Sequence, residues 1–433
     1  MKKVVIFTAS ILILSGLVIA YIPLNSQADS GATLITDFDS GGGVQIESSG
    51  ENYWELRLED DGGDDLRDYF HLKFEDAKDE TIDIDFTGMD RIPADQPLLV
   101  NYGTLLDPDW EYAETTVGDF EYSPEQDEVY VASYFPYPNE RIYTDQVQYY
   151  SENYETVDYE IIGQSKEDRD MYAMTIEDPD HTDPKEIVLY ARQHSQETYG
   201  SFRLDGILDF VAPRVEHNGF EENYSFHILP NLNPDGIYNG IYREDPEGND
   251  LNREWDETAD TPVEIENAKD YIRDNIENPH FGLDLHSYTS QDYESVVHNP
   301  DYHTEDHHQD WVEAIAENVF CLDGIRDTSD DENRARGFFY SETGGTMVST
   351  EQYQYYEHDS SDDIRDVGTE NIKEITEYDE DFEEPEDTED DNGIWISDDS
   401  ERVRDWIWNN LSLVVGTALI VGIAVMIDRE HNG

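Results

Sequence analysis

Alternating apolar and polar residues run through the first part of the chain. The segments YWELRLED (53–60), YFHLKFED (69–76) and TIDIDFTG (81–88) place an apolar side chain at nearly every second position, and the stretch DDGGDD interrupts the first two. This period is typical of strands that bury one face. We therefore predict a small all-β sandwich domain over residues 31–140. A β-rich extension without a core of its own is the alternative.

The pattern changes after residue 140. Short apolar runs now alternate with stretches of helical spacing, such as VEIENAKDYIRDNI. The runs that we interpret as strands are VDYEII (157–162), MYAMTI (171–176), IVLYA (187–191), YSFHIL (224–229) and FGLDL (281–285). Alternation of strands and helices predicts an α/β domain, which we place at residues 141–375.

Two longer apolar stretches lie at the ends of the chain. Residues 1–28 have two early lysines, an apolar run, and Ser26 and Ala28 as a plausible cleavage pair. This predicts a secretory signal peptide, with an uncleaved N-terminal anchor as the alternative. Residues 406–427 are long enough for a transmembrane helix, after an acidic linker at 376–402. We expect an exported protein, anchored in the cell membrane through this C-terminal helix, with its folded domains outside.

The charge of the chain is far from ordinary. Its 433 residues include 103 Asp and Glu but only 26 Lys and Arg, a formal net charge of −77. Such a charge indicates either disorder or adaptation to very high salt. An aromatic content of 12% is ample for packed cores, and the acidic residues are spread along the chain, so we favour a folded, halophilic protein. No basic patch could form, which excludes nucleic-acid binding.

Two histidines and a glutamate stand next to predicted strands. His194 and Glu197 follow the apolar run in ARQHSQET, and His286 follows the run in FGLDLHSYTS. A single His-x-x-Glu is common by chance, and a solvated loop pair is the alternative for it. Side chains at the ends of strands can meet at one sheet edge, and two His with one Glu form a familiar catalytic zinc set. We predict one Zn²⁺ per chain at His194, Glu197 and His286.

Three further motifs accompany this set: PNLNPDG (230–236), GNDLNREW (248–255) and FFYSETGGTMVSTEQ (338–352). Their order resembles that in zinc metallocarboxypeptidases of the carboxypeptidase A type, and is closest to the cytosolic carboxypeptidase branch. The zinc loop of that branch usually runs His-Pro-Gly-Glu-Thr, so Ser195 and Gln196 depart from it at positions that are not ligands. The branch also carries an all-β domain in front. The resemblance implies a mixed-sheet zinc-carboxypeptidase fold preceded by the sandwich.

The resemblance also implies roles around the metal. Asp250 would accept a hydrogen bond from a ligand histidine and so fix its tautomer. Arg243 would polarise the scissile carbonyl and stabilise the oxyanion. Glu351 would act as general base on the zinc-bound water. The stretch from Gly345 to Glu351 is shorter than in the digestive enzymes, which leaves Glu357 as the alternative base.

On the substrate side, the resemblance implies that Asn252 and Arg253 hold a terminal carboxylate, because the guanidinium fork matches that group. Tyr340 would cap the bound substrate. We therefore expect a monomeric zinc metallocarboxypeptidase that acts on peptide or protein C-termini. A zinc-dependent deacylase or amidase of the same fold and a non-catalytic surface binding protein are the alternatives. The cluster HTEDHHQDW (303–311) has no counterpart in the family, and we predict a solvated face there rather than a second metal site.

Overall fold

The fold was analysed in a computed structural model. The residues that it describes are 31–378 and 382, with gaps at 59–67, 90–91, 119, 181, 257–259, 290–294, 306, 319–323, 330 and 355–359. The predicted signal peptide, the predicted transmembrane helix, residues 383–402 of the predicted linker and the alternative base Glu357 lie outside the described residues. Among the helices within these ranges, none combines the length and the apolar character that crossing a bilayer requires.

The first domain is built of two sheets that enclose a common core. Its strands are β1 (Thr33–Ile35), β2 (Val44–Gly50), β3 (Tyr53–Leu58), β4 (His71–Glu75), β5 (Ile82–Thr87), β6 (Pro97–Asn101), β7 (Trp110–Thr116), β8 (Phe120–Tyr122) and β9 (Val129–Ala132). In the described part of the chain they form one sheet of order β1-β4-β9-β6-β7 and another of order β2-β3-β5-β8. Trp54, Phe70 and Phe74 are fully buried between them. The predicted β domain is confirmed, and it has its own core.

The second domain is organised around a mixed sheet. Its strands are β10 (Val157–Gln164), β11 (Asp170–Ile176), β12 (Lys185–Ala191), β13 (Tyr224–Leu229), β14 (Pro279–Tyr288), β15 (Ser295–His298), β16 (Gly324–Asp327) and β17 (Met347–Tyr353). Their described order is β10-β11-β13-β12-β14-β17-β15-β16. The central strands β13, β12, β14 and β17 are parallel, and β15 and β16 are parallel to each other. The pairs β10–β11, β11–β13 and β17–β15 are antiparallel. Each predicted strand is present.

Helices cover both faces of this sheet. They are α1 (Asn139–Arg141), a π-helical segment (Ile142–Gln148), α2 (Tyr149–Asn153), α3 (Tyr199–Glu216), α4 (Pro234–Tyr238), α5 (Val263–Asn275), α6 (His308–Asn318), α7 (Ala335–Thr343) and α8 (Ser361–Glu374), with 3-10 turns at Leu251–Arg253 and Pro300–Tyr302. Alternate residues of β12 face opposite sides, so that Leu189 packs in the core with α3, α6 and α8, and Val188 in the core with α5 and α7.

The two domains share side chains as well as a boundary. Tyr242 and Tyr353 belong to the second domain, but both are buried in the core of the sandwich. Thr289, just past β14, donates to Asp68 of the first domain at 2.6 Å. A further apolar cluster joins Leu99 of β6 to Tyr199 of α3. The sandwich therefore lies against the edge of the mixed sheet at which β12, β14 and β17 end.

Candidate metal centre

The loop that follows β12 carries the first two predicted ligands into a buried position. Arg192 adopts a positive φ of 60° directly after the strand, and this turns the chain. Its buried guanidinium donates to the Ser195 carbonyl and, at 3.0 Å, to the Tyr137 carbonyl. His194 and Glu197 are both buried. The loop is therefore buried and is fixed by hydrogen bonds of Arg192. The alternative of a solvated loop pair for His194 and Glu197 is wrong.

The structure brings His194, Glu197 and His286 together. His286 lies within β14, two residues before its end, and not after the strand as predicted. The reason is that the pairing of β14 with β17 extends to Tyr288. Each Glu197 oxygen lies 2.7 Å from the Nδ1 atom of one histidine, and the two Nδ1 atoms are 3.2 Å apart. Among the described residues this is the group whose ligand atoms could hold a metal ion, all within 4.8 Å of one another.

Each histidine is oriented by its own carboxylate. His194 Nε2 lies 3.1 Å from Asp250 Oδ1, as predicted for the residue that fixes the tautomer. His286 Nε2 lies 2.9 Å from Asp284 Oδ2, a partner that the sequence analysis did not assign. Asp284 stands two residues before His286 on the same strand, so the period of two already placed both on one face. Such carboxylates orient ligand histidines and increase their basicity.

The charges at this centre suit a divalent cation. Burial opposes ionisation of Glu197, but His194 and His286 outweigh it and hold the pKa of Glu197 below its usual range. Burial likewise opposes a charge on His286, but Asp284 and Glu197 raise the pKa of His286 well above the ordinary value. Two imidazoles and a carboxylate, with a carboxylate behind each imidazole, match the donors of a catalytic zinc site. The residues present therefore fit the zinc ion that was predicted.

Arg243 reaches the rim of the triad through Asp250. Its guanidinium donates to Asp250 Oδ2 at 2.7 and 3.0 Å, and its Nη1 lies 3.3 Å from His194 Nδ1. Burial raises the pKa of Asp250, but the opposing effects of His194 and Arg243 are larger and lower it overall. Asp250 therefore orients both His194 and the guanidinium of Arg243, the group that was predicted to stabilise an oxyanion.

The predicted carboxylate-binding residues lie beside the same centre. Asn252 is buried, with its amide nitrogen 3.1 Å from His286 Nε2. The Arg253 side chain keeps 34% of its surface exposed. Burial and the nearby Arg243 and Arg336 lower the pKa of Arg253, and burial and Arg253 do the same to Arg334. Arg334 and Arg336 were not predicted. Asp250 and Asp331 pair with these arginines, so the guanidinium groups lie close together within a cluster of mixed charge.

Glu351 is placed on β17, the strand next to His286. The two residues are register partners across the parallel pair β14 and β17. Arg203 of α3 fixes this pair, because it donates to the His286 carbonyl and, at 2.7 Å, to Thr350 Oγ1. Glu351 Oε2 is buried and has no hydrogen-bond partner in the described part of the chain. Burial raises the pKa of Glu351, His286 opposes this, and Glu197 adds to it.

The short connection ahead of Glu351 has a simple structural basis. Helix α7 ends at Thr343 and is capped by Gly344, whose φ of 74° favours glycine, and β17 begins at Met347. The Gly-Gly turn therefore joins the helix directly to the strand, and Glu351 reaches the centre without the longer stretch of the digestive enzymes.

Tyr340 is placed differently from the other predicted residues. It lies in α7, and its ring stacks on Tyr302 with centroids 4.4 Å apart. Within the described ranges, no contact joins Tyr340 to the triad, so the structure does not bring it to the metal centre. A role in capping the substrate remains a prediction.

The histidine-rich segment at 303–311 is packed rather than fully solvated. His308 is buried, and its Nδ1 lies 2.8 Å from Thr346 Oγ1. His303 Nε2 lies 2.9 Å from His298 Nδ1, and the exposed His307 packs its ring on Trp311 at 4.2 Å. The predicted solvated face is therefore wrong for His308, because an imidazole can pack as an aromatic ring as well as face water.

The chain is similar in sequence to proteins of several organisms. An uncharacterized protein of Zymomonas mobilis is 28% identical over 244 residues, which cover 54% of this chain and 62% of that protein. Human cytosolic carboxypeptidase 6 is 32% identical over 178 residues, covering 38% of this chain and 35% of the human protein. The chain thus spans less than two thirds of the length of either relative.

Solved structures show that the fold is shared. A metallo-carboxypeptidase of Burkholderia cenocepacia superposes with a TM-score of 0.67 at 19% identity, covering 80% of this chain and 98% of that one. A metallo-carboxypeptidase of Pseudomonas aeruginosa, solved with (2-guanidinoethylmercapto)succinic acid, gives a TM-score of 0.65 at 18% identity, covering 79% and 97%. The model of the zinc carboxypeptidase family matches residues 143–392, more than half of the chain and every residue of the triad. The chain therefore belongs to the zinc carboxypeptidase family.

Proposed function

We propose that this protein is a zinc-dependent metallocarboxypeptidase that removes C-terminal residues from peptides or proteins. One observation carries the proposal: the buried, unpartnered Oε2 of Glu351 lies beside the triad, on a strand paired with that of His286. A carboxylate without a hydrogen-bond partner at such a place suits proton transfer rather than structure. Arg253 lies near the same carboxylate, since Glu351 is among the charges that act on it.

The reaction can be followed through the residues of the chain. A bound zinc ion supplies Lewis-acid chemistry, polarising a carbonyl and acidifying water. Glu351 accepts the proton of the attacking water and passes it to the leaving amine, and its raised pKa brings it closer to the working pH. Arg243 donates hydrogen bonds to the developing oxyanion, while Asp250 keeps its guanidinium in place.

Recognition of the C-terminus falls to Asn252 and Arg253. The partly exposed Arg253 fork can pair with a carboxylate through two parallel hydrogen bonds. Burial lowers the pKa of Arg253, Asp250 opposes this, and Arg243 and Arg336 add to the lowering, so an anionic ligand relieves the repulsion that these two cations contribute. A free terminal carboxylate carries the negative charge that the Arg253 guanidinium would bind.

Amidation of a peptide substrate at its C-terminus should therefore slow its hydrolysis strongly. Loss of the carboxylate removes the substrate partner of Arg253 and leaves it only the 3.9 Å ion pair with Asp250, at a cost of about 2–5 kcal/mol in the water-excluded complex. At about 1.4 kcal/mol per tenfold, kcat/KM should fall by roughly 30-fold to several thousand-fold. The measurement compares matched free and amidated peptides with wild-type protein and with Arg253→Ala.

Arg253→Ala should lose efficiency on the free acid and most of the discrimination. Arg243→Ala is the matched control: turnover should fall with both peptides while the preference for the free acid persists. Equal cleavage of both peptides by the wild type, or cleavage mainly at internal bonds, would refute exopeptidase function. Hydrolysis of acyl-amino acids alone would point instead to a deacylase.

Adaptation to high salt is a second part of the proposal. Some exposed positions of the sandwich strands are acidic, such as Asp83 and Asp85 on β5. At low ionic strength the net charge of −77 repels itself over tens of ångströms, whereas at about 1 M salt the Debye length is about 3 Å. We expect secondary structure and activity to be lost in dilute buffer and restored by NaCl, as followed by circular dichroism. A fold unchanged in dilute buffer would contradict this. Export and membrane anchoring remain predictions.

A further inference from the structure

The backbone of Gln196, which lies between the two loop ligands, is held from three directions. Gln196 lies between His194 and Glu197, and its backbone N–H donates to the Tyr242 carbonyl at 2.8 Å. Its carbonyl accepts two hydrogen bonds, from Tyr134 Oη at 3.0 Å and from Gln354 Nε2 at 3.1 Å. All of these groups are buried. Both backbone hydrogen-bonding groups of Gln196 are therefore satisfied by residues outside the loop.

The partners of the Gln196 backbone come from different parts of the site. Tyr134 belongs to the chain that leaves the sandwich after β9. Gln354 directly follows β17, three residues after Glu351. Tyr242 immediately precedes Arg243. One carbonyl and one N–H thus link the zinc loop to the sandwich, to the strand of the general base and to the segment of the oxyanion cation.

The side chains that depart from the usual zinc loop extend this linkage. Ser195 donates to the Ile241 carbonyl, and Gln196 Nε2 donates to the Ile237 carbonyl at 3.1 Å. Proline and glycine at these two positions could make neither bond. The loop of this chain is therefore attached to the segment from α4 to Arg243 by side chains as well as by backbone.

We propose that Tyr134 and Gln354 are positioning residues for the metal centre, which act through the Gln196 carbonyl. A change in the ψ angle of Gln196 would turn its carbonyl and displace the Cα atom of Glu197, and with it the carboxylate that faces both histidines. Two donors from separate elements oppose that rotation, so the triad geometry depends on a hydroxyl supplied with the sandwich. This inference rests on the proposed zinc function.

The test replaces each donor by a side chain of similar shape in the full-length protein. Tyr134→Phe and Gln354→Met each remove one donor, and the double variant removes both. Zinc Kd is measured by competition with a chelator, together with kcat and KM on a free-acid peptide. Loss of partners outside the ligand shell typically costs 10- to 100-fold in metal affinity. We expect about that increase in Kd for the double variant and a smaller one for each single variant, with kcat reduced and KM nearly unchanged.

Tyr69→Phe is the matched control. The Tyr69 ring contacts that of Tyr134 at 5.4 Å, it is equally buried, and its hydroxyl donates to the Ser40 carbonyl inside the sandwich at 2.7 Å. Tyr69→Phe and Tyr134→Phe should lower the melting temperature similarly, but only the second should weaken zinc binding. Wild-type zinc affinity in the double variant, or an equal loss in Tyr69→Phe, would overturn the inference. A wild-type protein that binds no zinc would instead refute the proposed function.

Discussion

Replacement of Glu351 by glutamine is expected to leave zinc bound and to reduce kcat by about 100- to 10,000-fold, the usual contribution of a general base. The glutamine amide keeps the size of the side chain but cannot accept the proton of water. Because Glu351 is not one of the three triad residues, the metal should stay in place. Zinc content by elemental analysis and steady-state kinetics on one peptide measure the two effects separately.

Glu264→Gln provides a control of the same chemistry. Glu264 is a buried glutamate of α5 whose pKa is also raised by burial, and its carboxylate accepts from the Lys166 N–H. Its replacement should change kcat little. If Glu357→Gln abolished turnover while Glu351→Gln retained it, the assignment of the base to β17 would be wrong.

Replacement of either ligand histidine by alanine should have a still larger effect on the metal. Replacing a residue that is hydrogen-bonded to a metal ligand typically costs about 10- to 100-fold in metal affinity. Loss of one of the three ligands should therefore cost more than about 100-fold. We expect no stoichiometric zinc in His194→Ala or His286→Ala after dialysis, and no activity. Asp284→Asn should fall between these variants and the wild type, because it leaves all three ligands in place and weakens the contacts of Asp284 with His286, Gln193 and Ser349.

A buried histidine outside the centre serves as the control here. His298 is buried and bonds to His303 and Asp327, so His298→Ala disturbs packing without removing a triad residue. That variant should keep one zinc per chain. Stoichiometric zinc in both His194→Ala and His286→Ala would show that the metal binds elsewhere.

Much of the fold followed from the sequence because its periodicities are strong. The alternation in YWELRLED became β3, and VEIENAKDYIRDNI became α5, since each pattern offers one apolar face to a core. The family resemblance added what periodicity cannot supply, namely which polar side chains converge. It is confirmed at the level of the family, and the triad that it implied is assembled in the structure.

Other features depended on contacts between distant parts of the chain. Asp284 could have been assigned from its spacing to His286, but Arg334 and Arg336 reach the site from the start of α7, which no local pattern indicates. Tyr134 contacts the zinc loop only because the sandwich docks there. The histidine segment was predicted to be solvated because it has no counterpart in the family, whereas the His307 ring packs on Trp311 and His308 is buried. In each case tertiary packing decided what the local sequence left open.

The two tyrosines that cross into the sandwich core bear on how this protein could have evolved. Tyr242 is the neighbour of Arg243, and Tyr353 lies two residues beyond Glu351. Residues proposed for catalysis are therefore close in sequence to residues that are buried in the core of the other domain. A gene fusion that supplied a different β domain would leave both rings without their cavity, unless that domain happened to offer matching ones. The two domains should therefore descend as one inherited unit, with substitutions around the tyrosine cavities on one side compensated on the other.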